Sequence, residues 1–479
     1  MLDRFFRLSE HRTTVRTELL AGLTTFLTMA YIIFVQPAVL SGSMLGMETG
    51  MDFGAVTMAT CLAAALASLL MGLYARLPIA QAPGMGENFF FVLSVLPFAT
   101  TAFAADIAAK ETSAWEIGLG VVFVAGVLFL LLSVLGIQKK MLQAISPSMR
   151  NGIAIGIGLF IAFIGLQNAG LVLKDLKDPG RAVKLNPQFA SPDLIVFFFG
   201  LLVTAGLYAR RVRGSIVWGI VAATLLTVGL RFGLPFLWDD LPKLVAESKL
   251  MTQFAMAEGV VSAPPSIEPT FFKMDLARAL SWSMLPFVLI FLFMDLFDTL
   301  GTLIGVGEQA GLMKDGELPR VRPALISDAV GTVAGAAMGT STVTSFIESA
   351  AGVEQGGRTG LTAVTVAGLF VLAIFFSPVI AMVGSYPPIT APALVVVGSL
   401  MMANAGKVEW SNHAESIPTF LIIIGIPLTY SIADGLALGF IAYPIVKFLA
   451  GQGRDVKWLM YVMAAVLIAY FVFVRMGLG

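Results

Sequence analysis

The sequence predicts an all-α polytopic membrane protein of about fourteen transmembrane segments, arranged as two inverted sets of seven, with short extended pieces in segments 3 and 10. Three observations predict it. Apolar residues make up 57 % of the 479 residues and charged residues only 13 %, whereas an ordinary soluble chain is about 25 % charged. Apolar runs of membrane-spanning length recur from end to end. Two of those runs, in matching places of the two halves, are too broken to be ordinary helices.

A membrane helix needs about 20 mostly apolar residues. Candidate spans lie near 17–40, 54–75, 79–98, 116–137, 148–170, 191–208 and 214–232. After a long polar loop, others lie near 279–305, 322–338, 340–354, 360–383, 388–405, 416–433 and 435–450. The stretches 340–354 and 435–450 are short for a full crossing. A last apolar stretch runs near 457–474 and could cross the membrane, lie on its surface or pack on the bundle. The first span follows Arg4, Arg7, Arg12 and Arg16, is long, and lacks a small-residue cleavage site. It is therefore read as a retained span, not a signal peptide.

The basic loops set the expected orientation. With the N-terminus cytoplasmic, alternate loops carry Arg76; Lys139, Lys140 and Arg150; Arg210, Arg211 and Arg213; Lys314, Arg320 and Arg322; Arg358; and Lys447, Arg454 and Lys457. The 233–276 loop falls outside and is rich in acids, among them Asp239, Asp240, Glu247, Glu258, Glu268 and Asp275. The 171–187 loop, with Lys174, Lys177, Arg181 and Lys184, is the exception. The expected location is a cell (inner or plasma) membrane. Lys+Arg equals Asp+Glu at 30 each, so nothing attracts nucleic acid. The lone Cys61 can form no internal disulfide or Cys-based zinc site, and His11 and His413 make no His-rich metal site.

Gly118–Gly170 contains Val124-Ala125-Gly126 and ends Asn168-Ala169-Gly170. Gly360–Gly406 contains Val366-Ala367-Gly368 and ends Asn404-Ala405-Gly406. Each holds two spans with a proline joint, Ser146-Pro147 or Pro387-Pro388, before the second. Halves of 1–233 and 276–450 would have seven spans each, and an odd number inverts the second half. That is the frame of many secondary transporters, whose site lies at the repeat interface near mid-membrane.

The broken segments sit there. Leu77–Phe91 reads LPIAQAPGMGENFFF, and Gly339–Gly352 reads GTSTVTSFIESAAG. Pro78, Pro83, Gly84 and Gly86 oppose helix in the first, and Thr340, Thr342, Val343 and Thr344 favour a strand in the second. Each is expected to be a short extended piece leading into a half-helix. The two extended pieces could pair at the centre, with free backbone groups and half-helix N-termini facing a polar ligand.

Intramembrane acids mark function by default. Asp295 and Asp298 are three apart on one helix face. Glu348 opens one half-helix, and Glu87 with Asn88 holds the matching place in the other. No lysine or arginine lies in these spans to neutralise the acids, so one could carry a proton. Asp295 is also readable as a structural group bonded to backbone or hydroxyls, and Glu87 as structural or at an entrance. Asn88 offers a donor and an acceptor, as a planar heterocycle requires. Phe89 and Phe346 follow the breaks and are the preferred stacking rings, although lipid-facing packing is the commoner use of such phenylalanines. Thr24, Thr25, Thr28, Met29 and Tyr31 could line the site, and hydroxyls bonded back to their own helix are the simpler account of the threonines. Gly84-x-Gly86 is not a dinucleotide fingerprint, and no Walker A sequence supports an ATP-driven pump. Without His clusters, a metal motif or a nucleophile–base pair, an enzyme is not expected.

Four motifs carry a resemblance: Ala21–Tyr31 (AGLTTFLTMAY), Ala82–Asn88 (APGMGEN), Asp295–Thr302 (DLFDTLGT) and Gly339–Gly352. In this order the chain resembles the azaguanine-resistance-type purine permeases of the nucleobase–cation symporter family, related to uracil and xanthine permeases. The resemblance implies proton-coupled uptake of adenine, guanine or hypoxanthine by alternating access of a core against a gate. It implies core domains at 1–145 and 277–386, gate domains at 146–233 and 387–450, an extracytoplasmic loop at 234–276 and a C-terminal apolar segment at 451–479. It places Glu348, Asp298, Asn88 and Thr25 on family positions; with the residue reading above, the expected substrate-binding set is Glu348, Asp298, Asn88, Phe89, Phe346, Ile347, Thr25 and Thr28, and the expected proton-coupling set is Asp298, Glu348 and Asp295. Thr25 and Thr302 fall at or near places where relatives with other bases carry histidine, which leaves coupling to the carboxylates. No cofactor is implied beyond the proton. The implied partners are a purine nucleobase, a proton, the bilayer and a second copy through the gate. The alternative is a xanthine, urate or other small-anion transporter on the same fold.

Overall fold

The computed structural model describes residues 2–136, 145–174, 183–237, 242–313 and 318–469. The expected loop charges Lys139, Lys140, Lys177, Arg181, Asp239, Asp240 and Lys314, and residues 470–474 of the last apolar stretch, lie outside the described residues.

The chain is mostly helical, and among the described residues nine helices are long and apolar enough to cross a membrane. In chain order the main elements are α1 (Val15–Met29), α2 (Ile32–Leu40), α3 (Phe53–Leu70), β1 (Gln81–Pro83), α4 (Met85–Phe90), α5 (Leu96–Ala102), α6 (Ala114–Leu135) and α7 (Pro147–Asn168). A hairpin of β2 (Val172–Lys174) and β3 (Val183–Leu185) follows, then α8 (Pro192–Ala209) and α9 (Ser215–Leu237). After the long loop come α10 (Leu285–Gln309), α11 (Val321–Met338), β4 (Val343–Ser345), α12 (Ser349–Glu354), α13 (Gly360–Ala373) and α14 (Ser377–Gly384). The chain continues through α15 (Pro387–Met401), α16 (His413–Thr429), α17 (Ile432–Leu449) and α18 (Trp458–Ala469).

Ordinary chemistry sets the ends. Asp52 caps α3 through Ala55 N–H, and Ser146 caps α7 with Pro147 at its first position. Ser113 and Glu116 close a capping box on α6, which ends at Gly136 with φ 72°. The stretch 435–450, read as short for a crossing, belongs to the 18-residue α17. Asp434 and Lys447 in its end turns cut its apolar appearance without shortening the helix.

Two bundles emerge from the packing. In one, α1 and α3 pack on α13, α3 and α6 pack on α11, and α6 also meets α10. In the other, α7 packs on α15 and α16, α8 on α9 and α15, and α16 on α17. Small residues permit the closest approaches, as in other membrane bundles. A Cβ at Gly360 of α13 would lie 1.8 Å from the Gly72 carbonyl, and one at Gly398 of α15 would lie 2.3 Å from that of Gly158 of α7. Glu18 of α1 is fully buried and crosses to α13, where it accepts from Arg358 N–H (2.9 Å) and the Thr362 hydroxyl (2.6 Å). A carboxylate at a helix start satisfies donors that have no partner inside the helix.

The two broken segments meet inside the first bundle. β1 and β4 pair antiparallel, with Gln81 opposite Ser345, Ala82 opposite Thr344 and Pro83 opposite Val343. Phe346 N–H donates to Ala80 O and Gly84 N–H to Thr342 O, both at 3.0 Å, so the ladder runs on past Pro83, which has no N–H. Bare backbone at membrane depth needs such internal partners.

Candidate functional site

The ladder has a back and an open face. At the back, the Thr332 hydroxyl of α11 lies 3.0 Å from both Val343 N and Val343 O and 2.9 Å from Asp295 Oδ2. Thr299 of α10 receives Ser345 N–H at 3.1 Å and lies 2.8 Å from Asp328 Oδ1. Gln81 donates to the same Asp328 carboxylate and to the Ser345 hydroxyl. The Ser68 hydroxyl of α3 holds both Gln81 N–H and Gln81 O at 2.9 Å. Side chains of α3, α10 and α11 thus complete the backbone of both strands, as an edge buried in an apolar bundle requires.

Asp295 and Asp298 divide between the two faces. Three residues advance a helix by about 300°, which leaves two side chains some 60° apart. Here that separation decides everything: Asp295 is 2 % exposed and turned to α11, while Asp298 is exposed although it lies near mid-helix in a fully packed region. Gly301 and Ile304 continue the exposed strip along α10. Exposure begins at Asp298 and runs toward the helix C-terminus, so a cleft opens at that end of the bundle. The same end holds Arg76 against Phe5, and Arg320 donating to Tyr74 O.

Glu348 reaches the cleft from the other side. It precedes α12, is partly exposed, and accepts from the buried Tyr31 hydroxyl at 2.7 Å. Tyr31 stands at the joint between α1 and α2, where the first span is broken. Glu348 and Asp298 lie close enough to act on one another through space. Ile347 is 55 % exposed and lies over the α10 strip, where a Cβ at Gly305 would be 3.7 Å from its Cδ1.

Other expected residues lie elsewhere. Asn88 is fully buried, and its amide donates to Gln36 Oε1 at 2.7 Å. Gln36 in turn donates to Thr340 and Ser341 hydroxyls at 2.9 and 2.8 Å. Asn88 Oδ1 has no hydrogen-bond partner among the described residues. Thr25 is buried against α12, where a Cβ at Gly352 would lie 2.1 Å from its hydroxyl oxygen. Thr28 sits 2.7 Å from Thr25 O and 3.3 Å from Glu348 O, so helix back-bonding accounts for it and ties it to the acid's backbone. Phe89 is wholly buried and Phe346 5 % exposed; neither ring lies open in the cleft. Phe89, Phe90 and Phe91 do not face lipid: all three are 0 % exposed, and Phe90 packs edge-on to Phe291 with ring centres 4.7 Å apart. Glu87 is buried and folded back toward Gly84.

Sequence reasoning missed Asp328, Gln81 and Gln36. Asp328 carried a signal, being an acid inside an apolar run with no basic neighbour. Gln81 and Gln36 carried a weaker one, a lone amide within two residues of a proline, whose meaning depends on which backbone it meets.

The xanthine/uracil permease model, described as "Permease family", matches residues 16–438. The chain belongs to this permease family. It is 40 % identical to the guanine/hypoxanthine permease PbuG of Bacillus subtilis (strain 168) over 484 aligned positions, covering 99 % of this chain and 100 % of that one. It is 38 % identical to the adenine permease AdeP of Escherichia coli (strain K12), covering 99 % and 96 %. Its fold is similar to the transmembrane domain of the cyanobacterial bicarbonate transporter BicA, with TM-score 0.61 and 14 % identity over 88 % of this chain and 97 % of that one. The permease is thus a multi-pass membrane protein, not an enzyme, and its fold is shared with carriers of very different sequence.

Proposed function

We propose that the permease imports purine nucleobases by proton symport across a plasma membrane, with its N-terminus cytoplasmic. The observation that carries this reading is the pair of carboxylates, Asp298 and Glu348, converging on one cleft beside a paired break in two spans. Two acceptors side by side suit the ring N–H and amino donors of a purine edge. They oppose an anion, which would need a cation or free N–H groups there. The near full-length identity to the guanine/hypoxanthine and adenine permeases supports the same substrate class.

In this mechanism Glu348, held by Tyr31, accepts from the purine. Asp298 takes the coupling proton, so that the loaded site crosses with less charge. Ile347 and the glycine-bearing strip of α10 form the walls of a flat slot. Asn88 acts through Gln36 on the strand that precedes β4, rather than by touching the base. The bundle that holds the ladder is the moving core, and the α7–α9 and α15–α17 bundle is the gate, on a seven-plus-seven inverted frame.

Uptake of labelled adenine, guanine, hypoxanthine, xanthine and uracil, in cells lacking their own carriers, tests the substrate. Mutual competition among the purines with no effect of uracil is expected. Glu348→Gln should lower uptake at least tenfold while leaving the amount of protein in the membrane unchanged. Normal uptake by that variant would remove Glu348 from the site. Dissipating the pH gradient should abolish accumulation and spare exchange.

A further inference from the structure

Two carboxyls at the back of the ladder have no part in the transport reading. Asp295 is 2 % exposed and Asp328 0 %. One oxygen of each is served: Asp295 Oδ2 by the Thr332 hydroxyl at 2.9 Å, and Asp328 Oδ1 by Gln81 Nε2 and the Thr299 hydroxyl. The other oxygens, Asp295 Oδ1 and Asp328 Oδ2, are fully buried and have no donor among the described residues. The two carboxyls are set side by side by reciprocal bonds between the helices: Asp295 meets Thr332, one turn on from Asp328, and Asp328 meets Thr299, one turn on from Asp295.

Their surroundings supply no positive charge. Asp298 of α10 and Glu87 of α4 add only further negative charge, acting on the pair through space. Neither carboxyl has a salt-bridge partner among the described residues. Two ionised carboxylates at this separation, away from water, repel too strongly to coexist. Two buried oxygens in contact also need a hydrogen between them.

We propose that Asp295 and Asp328 bind one resident proton as an acid pair, with the Asp295 carboxylic O–H donating to Asp328 Oδ2. The donor count fixes the direction. Asp328 Oδ1 accepts from an amide and a hydroxyl, which favours its ionised form, while Asp295 has only a hydroxyl that Val343 O also competes for. This proton is distinct from the coupling proton assigned to the cleft. The pair joins α10 to α11 and, through Thr332, Thr299 and Gln81, positions both strands of the ladder. The assignment goes beyond the transport reading and does not depend on the substrate.

Infrared spectroscopy of the full-length protein in lipid nanodiscs, with aspartate carboxyls labelled with carbon-13, reads the proton directly. The label separates aspartic from glutamic acid, so Glu87 and Glu348 do not interfere. In Asp298→Asn, which removes the titrating aspartate of the cleft, an aspartic-acid C=O band is expected at neutral pH, constant from about pH 5 to about pH 9. It should vanish when Asp295→Asn is added, whose amide still donates to Asp328. A band that titrates away within that range in Asp298→Asn, or that survives the added Asp295→Asn, overturns the proposal. So does absence of the band together with sodium-dependent thermal stability, which would place a sodium ion between the carboxyls. The titration of Asp298→Asn decides the matter even if the double variant fails to fold. Because no substrate is involved, failure here leaves the nucleobase reading standing, and loss of purine uptake leaves this one standing.

Discussion

At the scale of single residues, Tyr31 is the support on which the open-face acid depends. Its hydroxyl donates to Glu348 at 2.7 Å from a position that is 2 % exposed. A hydrogen bond to a charged group contributes about 1.5–3 kcal/mol, or roughly 10- to 100-fold in affinity. Tyr31→Phe should therefore raise the KM for purine uptake at least tenfold with a smaller change in maximal rate, measured in cells with matched protein levels. Unchanged KM would mean that Glu348 holds its place without Tyr31. Residue identities alone marked Asp298, Glu348 and Asn88 as polar groups out of place in a membrane span. They did not reveal that Asn88 serves Gln36, because hydrogen-bond partners 52 residues apart are set by packing, not by pattern.

At the scale of elements, the turn from β1 into α4 is the tightest point. A Cβ at Gly84 would lie 2.2 Å from Glu87 Oε2 and 2.9 Å from the Thr344 methyl, both buried. Gly84→Ala must push α4 and β4 apart. Overpacking of this kind costs about 1–3 kcal/mol. Its unfolding temperature in detergent should fall, and transport should weaken with it; an unshifted transition would show that the joint has slack. A second element-scale feature lies on the loop side. Arg278 donates to Asp106, Asp275 and Glu111 at 2.7–2.8 Å, tying segment 104–111 to the chain before α10. Burial disfavours the charged form of Asp275, but hydrogen bonds from the Arg278 N–H and guanidinium outweigh it and hold the carboxyl below its ordinary 3.8. A carboxyl lowered by folding adds stability above its unfolded value and loses it as pH falls through the folded value. The tie should thus be complete at neutral pH and loosen only below pH 3.8. Protease sensitivity of segment 104–111 in proteoliposomes should rise in that window, and in Arg278→Ala at any pH.

At the scale of the whole molecule, the two bundles touch at the end beyond the first break. Ser94, in the helix after the first break, lies 3.4 Å from Ser431 at the start of α17, and a Cβ at Gly86 would contact Ile157 of α7. The exposed strip of α10 lies toward the opposite end. If transport moves one bundle against the other, an oxidised Ser94→Cys/Ser431→Cys pair should arrest uptake, and reductant should restore it. Cys61 is buried and does not compete. Full uptake with the cross-link formed would mean that this contact persists throughout the cycle.

The sequence by itself determined the membrane class, the two breaks, and the acids near them. Apolar run length, proline and glycine placement, and charge in an uncharged setting are local properties, each with a fixed energetic meaning in lipid. Only the tertiary structure decided that Gln81–Pro83 pairs with Val343–Ser345, that Asp298 opens to a cleft while Asp295 turns to Asp328, and that Phe89 packs inside. Strand pairing, helix rotation and burial arise from contacts between segments about 30 to more than 260 residues apart, and an individual segment carries no record of what it will meet.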